Sequence, residues 1–361
     1  MEYFLPHQKL TDVLNHLRAE QYRCIGPQVR ENVIIYDTLQ SVDQLPWGVQ
    51  DKQEPGKYEL IDSDPSLAFS WSNGISSLKS FLFKQEEVLW YSRKKEDGKI
   101  QFEPVVQSER LAFVGVKPCD VAALQRQDRI FLSGDADKNY QARRKNIFIV
   151  MVNCTYSSSN CFCAATNTGK VYSGYDIAMT EISGGFVIHD ASGRGSSIIQ
   201  KLNLAAALKE QIKLANELVD KNQKNQIKKL PQVDFYEKLF KNFDHLHWKN
   251  IAKRCNACGN CTQVCPTCFC HKTMEFPSLE SEEMYEHTRQ WDSCFAEDHS
   301  YMHENAIHPD TLSRYRQWLI HKFGSWSKQF GAMGCVGCGR CITWCQQRID
   351  VTEELKALCE D

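Results

Sequence analysis

The chain has 361 residues, 42% hydrophobic and 24% charged, which is the composition of an ordinary globular protein of about two domains. A formal net charge of −2 excludes a global field suited to nucleic acid or to an anionic membrane surface. No apolar run is long enough to span a bilayer, and residues 1–21 lack the apolar core of a secretory signal. The expected compartment is therefore the cytoplasm, where thiols stay reduced.

Leu10, Val13, Leu14 and Leu17 recur at helical spacing and predict a helix over 8–21. Strands are expected at 22–29 and 32–39. Residues 40–57 are polar, carry Pro46, Gly48, Pro55 and Gly56, and read as a long loop. A short strand at 58–61 and a short helix at 76–83 follow. Segments 88–92 and 100–106 read as a hairpin across Asp97-Gly98.

The clearest α/β unit comes next. Residues 111–116 (LAFVGV) and 147–152 (IFIVMV) are apolar runs fit for buried strands. Between them, Asp120 is an expected N-cap and 121–132 a helix. Strand, helix, strand implies parallel strands and a right-handed crossover. Cys119 and Cys154 then follow the carboxyl ends of two parallel strands, on the sheet edge where open α/β folds place ligands. Cys161 and Cys163 lie in the loop beyond. These four cysteines read either as the ligands of a third [4Fe–4S] cluster or as buried thiols packing like small hydrophobes.

Residues 192–197 (SGRGSS) are glycine-rich and precede a helix expected over 198–221. Without a P-loop lysine they read as a plain loop. Residues 222–231 form a lysine- and asparagine-rich link, a solvated face. A helix over 233–251 leads into the cysteine runs.

Two runs share the spacing C-x2-C-x2-C-x3-C: Cys255, Cys258, Cys261, Cys265 and Cys335, Cys338, Cys341, Cys345. This is the ligand spacing of bacterial-type [4Fe–4S] ferredoxins, whose fourth cysteine ligates the other cluster. One cluster is therefore assigned to Cys255, Cys258, Cys261 and Cys345, and its neighbour to Cys335, Cys338, Cys341 and Cys265. Gly259 and Gly339 let the backbone approach the cluster sulfurs. Zinc also uses C-x2-C pairs, but two complete runs in ferredoxin phase fit it poorly. Disulfides do not suit the expected compartment.

Between Cys265 and Cys335 lie 69 residues, too many for the link of a compact ferredoxin. Helical periodicity over 311–323 suggests instead an all-helical ferredoxin with an insertion. The expected fold is thus an α+β or α/β N-terminal domain over 1–230 followed by an all-helical two-cluster [4Fe–4S] domain over 231–361. Cys268, Cys270 and Cys294 are expected to pack around the clusters, and His299 and His303 to have surface or packing roles.

Several segments together resemble a known family: GVKPCDVAAL at 115–124, VNCTYSSSNCFCAATNTG at 152–169, CNACGNCTQVCPTCFC at 255–270, RQWDSC at 289–294 and FGAMGCVGCGRCITWC at 330–345. The chain resembles the β subunits of cytoplasmic NAD(P)-linked [NiFe] sulfhydrogenases. It is similar also to the iron–sulfur dicluster subunit of anaerobic sulfite reductase, in the same family of 4Fe–4S dicluster proteins. The resemblance spans nearly the whole chain. It implies a non-catalytic, iron–sulfur electron-transfer subunit between a flavin subunit that meets NAD(P)H and a catalytic subunit, with flavin, nickel and sirohaem held by partners. The different-class alternative is a self-contained iron–sulfur oxidoreductase, and no nucleophile–base pair or dinucleotide fingerprint favours it.

The family pattern C-P-x-G-I-D departs here to Cys345-Gln-Gln-Arg-Ile-Asp350. Gln346 and Arg348 bring donors and a positive charge, so the nearer cluster is expected to have a raised potential. A Gln346→Pro exchange that left both cluster potentials unchanged would contradict this.

Overall fold

The computed structural model describes residues 1–278 and 283–360. Its largest sheet has seven strands in the spatial order Tyr3–Pro6, Gly185–Asp190, Ile177–Ile182, Ile147–Val152, Leu111–Val116, Arg23–Arg30, Val33–Thr38. The four strands Arg23–Arg30, Leu111–Val116, Ile147–Val152 and Ile177–Ile182 are mutually parallel, and the outer three pair antiparallel. Every residue of Leu111–Val116, Ile147–Val152 and Ile177–Ile182 is buried. The first two are unbroken apolar runs, as a sheet covered on both faces favours, while the third also buries Thr180 and Glu181.

The helix Leu10–Ala19 buries Leu10, Val13, Leu14 and Leu17, the stripe its periodicity marks. Part of the expected loop over 40–57 is a strand: Val49–Glu54 pairs with Lys57–Asp62. Pro55-Gly56 makes the turn, with Gly56 at φ +71°. The helix expected over 198–221 is two helices, Gly193–Leu202 and Lys209–Lys224, separated at Asn203, which is left-handed. Asp120 is not the N-cap of its helix. Lys117 holds that position, Pro118 begins the first turn, and the Asp120 carboxylate serves a buried ion pair described below.

The expected fold class is overturned. The N-terminal region is rich in sheets, and the C-terminal iron–sulfur region is not all helical. His271–Pro277 and Met284–Trp291 form an antiparallel pair between the two cysteine runs. Met284–Trp291 then pairs with Glu86–Lys94, and Ile100–Pro104 completes a four-stranded sheet. A further short pair joins Tyr301–Met302 to Asn305–Ala306. The reason is non-local. Arg289 ion-pairs with Glu87 at 2.5 Å, and Trp291 Nε1 donates to the Phe83 carbonyl at 3.1 Å. The strand thus finds its edge about 200 residues earlier in the chain.

Helices surround the cysteine runs on their other side. Leu239, Trp248, Ile251, Leu319, Phe323, Ile342, Leu355 and Leu358 form one apolar cluster there. Among the described residues no helix is long and apolar enough to cross a membrane.

Candidate iron–sulfur sites

The two cysteine runs fold alike. Gly259 (φ +75°) and Gly339 (φ +76°) each precede a one-turn helix, Asn260–Gln263 and Arg340–Thr343. Both glycines occupy the left-handed region that a side chain disfavours.

Cys255, Cys258, Cys261 and Cys345 come together, with Cys345 delivered from the second run. Along with Cys341 they line a pocket walled by Phe295, Tyr315, Trp318, Ile349 and Val351. Backbone N–H groups point at the sulfurs: Ala257 to Cys255 Sγ at 3.4 Å and Ile349 to Cys345 Sγ at 3.3 Å.

Cys335, Cys338, Cys341 and Cys265 form a second group, with Cys265 delivered from the first run. Cys341 is close enough to Cys335, Cys338 and Cys265 to feel their charge, and Cys335 likewise feels Cys338 and Cys265. Gly337 N–H donates to Cys335 Sγ at 3.3 Å, and Thr267 Oγ1 lies 3.2 Å from Cys265 Sγ.

Cys119, Cys154, Cys161 and Cys163 also converge. Cys154 acts on both Cys161 and Cys163, and Cys163 acts on Cys119. Polar side chains aim at these sulfurs: Gln226 Nε2 at 3.1 Å from Cys163, Ser158 Oγ at 3.4 Å and Asn73 Nδ2 at 3.8 Å from Cys161. This group adjoins the second. Cys119 and Cys163 pack with Cys338, Val336, Ala122 and Ala123, and Phe162 N–H donates to the Gly337 carbonyl at 2.8 Å.

These features fit an iron–sulfur occupant. Burial pushes the Cys163 and Cys335 thiols each up to about 12. Burial likewise lifts Cys119, Cys161, Cys261 and Cys341 above the ordinary thiol range. A raised value alone is what any buried thiol shows. Neighbouring buried thiols with N–H donors aimed at sulfur are an arrangement in which iron would supply the missing positive charge. The remaining cysteines lie apart or alongside. Cys24 is in the sheet and Cys359 in the last helix. Cys268 is buried, and Cys270 and Cys294 are half-buried, on the segments that follow the first run. His299 Nδ1 is held by Asp292 Oδ2 at 2.6 Å.

The glycines do more than admit a cofactor. A Cβ on Gly339 would meet the Asn160 carbonyl at 2.3 Å, and one on Gly337 the Cys163 backbone at 2.6 Å. The Cys161–Cys163 loop is seated directly on the second run. At Gly259 the nearest obstacle is a side chain, Ser293 Oγ at 3.0 Å. Gly339→Ala is therefore expected to cost on the order of 3 kcal/mol, and Gly259→Ala clearly less. Unfolding free energies of the two variants check this, and equal costs would contradict it.

Sequence reasoning missed the polar shell. Asn73 reaches both Cys161 Sγ and the Cys338 carbonyl (2.8 Å). Gln226 sits in the segment read as an exposed link, yet it is buried. Arg340, between Cys338 and Cys341, is fully buried. It makes two bonds to Asp120, at 2.7 and 2.9 Å, and donates to the carbonyls of Gly74 and Ser76. Asp120 adjoins Cys119, so this pair ties the second run to the third group. The one available signal was the arginine inside a cysteine run, which hinted at a buried counter-charge without naming it.

Residues 254–349 match the 4Fe-4S dicluster domain family. The chain is 28% identical over 307 residues to sulfhydrogenase 2 subunit beta of Pyrococcus furiosus, covering 84% of this chain and 88% of that protein. No solved structure matches it. The chain is a homologue of the sulfhydrogenase β subunit, an iron–sulfur protein with a 4Fe–4S dicluster domain.

Proposed function

We propose that the chain is the electron-relay subunit of a cytoplasmic redox complex of the [NiFe] hydrogenase type. It would carry electrons between a flavin subunit that meets NAD(P)H and a catalytic subunit. One observation carries the reading: the three cysteine groups adjoin in series. Cys261 of the first group neighbours Cys341 of the second, and Cys338 of the second neighbours Cys119 and Cys163 of the third. Bound there, [4Fe–4S] clusters supply one-electron oxidation and reduction without proton chemistry of their own.

The residues of the chain do the rest. The cysteines fix the spacing of the centres. Backbone N–H groups and the side chains of Gln226, Ser158 and Asn73 offer hydrogen bonds that stabilise charge on sulfur. Aromatic and aliphatic side chains line the pocket of the first group. Cys258 is exposed, which supports electron exchange with a partner at that end of the series.

The test uses the chain purified without oxygen. Dithionite is expected to produce reduced-cluster electron paramagnetic resonance signals, and NAD(P)H alone is expected to produce none. NAD(P)H should become effective once the flavin subunit is added. A chain that by itself reduces a dye with NAD(P)H would overturn the relay reading.

A further inference from the structure

Lys322 is only 4% exposed. It lies in a π-helical turn, Ile320–Ser325, between the helices Thr311–Leu319 and Trp326–Phe330. Such turns are rare and concentrate at functional sites. The turn grips both cysteine runs. The Lys322 carbonyl accepts from Gly334 N–H at 2.9 Å, the residue before Cys335. Its ammonium donates to Thr267 Oγ1 at 2.7 Å. Thr267 Oγ1 in turn donates to the Gly334 carbonyl at 2.7 Å and lies 3.2 Å from Cys265 Sγ.

The other buried cations among the described residues have carboxylate or backbone-carbonyl partners: Lys117 donates to the Phe69 carbonyl, and Arg314 to the carbonyls of His308, Phe295 and Pro309. Arg340 has Asp120, Arg289 has Glu87 and Asp137, and Arg143 has Glu87. Among the described residues, no carboxylate lies within ion-pair distance of the Lys322 ammonium. Lys79, the other buried lysine on this side, is held by the carbonyls of Thr262 and Gln263 and by the Trp291 ring at 3.7 Å. Lys322 has the Thr267 hydroxyl, which lies 3.2 Å from Cys265 Sγ, and the Trp326 ring at 5.9 Å. An ammonium buried without counter-charge is costly. A cluster bound by four thiolates is an anion and removes that cost. The pocket of the first group, by contrast, has no basic residue in its lining: Arg348, expected to raise the potential there, is exposed and does not line it.

We propose that Lys322 is the counter-ion of the centre held by Cys335, Cys338, Cys341 and Cys265, and that it places this centre at a higher reduction potential than the one held by Cys255, Cys258, Cys261 and Cys345. The inference rests on the iron–sulfur relay reading and deepens it. Reduction adds one negative charge to the cluster, and a fixed positive charge close by favours the reduced form. The second centre then becomes the electron sink of the chain, and the first the more reducing end.

The experiment is a redox titration of the anaerobically purified chain, followed by electron paramagnetic resonance, with iron and sulfide measured on each sample. In Lys322→Met the midpoint potential of one C-terminal cluster is expected to fall, with the other unchanged. Lys322→Arg is expected to recover most of the fall. Thr267→Val keeps the lysine but removes its hydroxyl link to Cys265 Sγ, and a smaller fall in the same signal is expected. Lys322→Met with full iron and unchanged potentials overturns the proposal. If that variant binds no iron, an unchanged potential in Thr267→Val overturns it. Wild-type chain without iron would instead defeat the relay reading itself.

Discussion

Replacing Arg340 by methionine is expected to cost about 3–5 kcal/mol of folding stability, because it strands the Asp120 carboxylate in a dry site. Both side chains of the pair are 1% exposed. Arg340 meets Asp120 through two parallel bonds and spends its remaining donors on the carbonyls of Gly74 and Ser76. Bidentate pairing of this kind is among the strongest polar contacts proteins make. The desolvation of two ions nevertheless offsets most of that attraction, so the pair specifies an arrangement more than it adds net stability. A double variant, Arg340→Met with Asp120→Leu, is therefore expected to recover a large part of the loss. Denaturant unfolding of the iron-loaded chain, without oxygen, measures both. A single variant within about 1 kcal/mol of wild type would contradict the argument, since breaking a buried pair normally costs several times that.

Cys119→Ser is expected to remove one cluster, about four irons per chain, and to leave the two C-terminal clusters in place. Cys119 faces Cys163 and Cys338 in a buried apolar setting. If it were only a packing thiol, serine would cost some stability and no iron. Cys163→Ala provides an independent check and should lose the same amount of iron. Cys24→Ser is the control. Cys24 is 2% exposed in the main sheet, its sulfur 3.9 Å from the Leu14 carbonyl, and its loss should leave iron unchanged. Iron unchanged from wild type in both Cys119→Ser and Cys163→Ala would contradict their role as ligands.

The sequence was most legible where spacing is local. The C-x2-C-x2-C-x3-C runs, the stripe of Leu10, Val13, Leu14 and Leu17, and the strand–helix–strand unit over 111–152 all depend on near neighbours, and each reads directly from the residues. The sheet that His271–Pro277 and Met284–Trp291 build with Glu86–Lys94 depends on pairing across about 200 residues, which no window along the chain reveals. An all-helical C-terminal region was expected because the helical period over 311–323 was visible and the partner strand was not. Asp120 shows the same limit on a smaller scale. Its position after Pro118 suits a helix cap, but Arg340 lies 220 residues away and claims it. The polar shell of Asn73, Gln226 and Lys322 was hidden for the same reason, since each reaches its sulfur group from a distant segment.

Iron and acid-labile sulfide per chain, on protein purified without oxygen, test the central claim most directly. About twelve of each are expected, for three [4Fe–4S] centres in series. About eight irons would contradict the third centre and leave Cys119, Cys154, Cys161 and Cys163 as a packed wall. Zinc in place of iron would contradict the relay altogether.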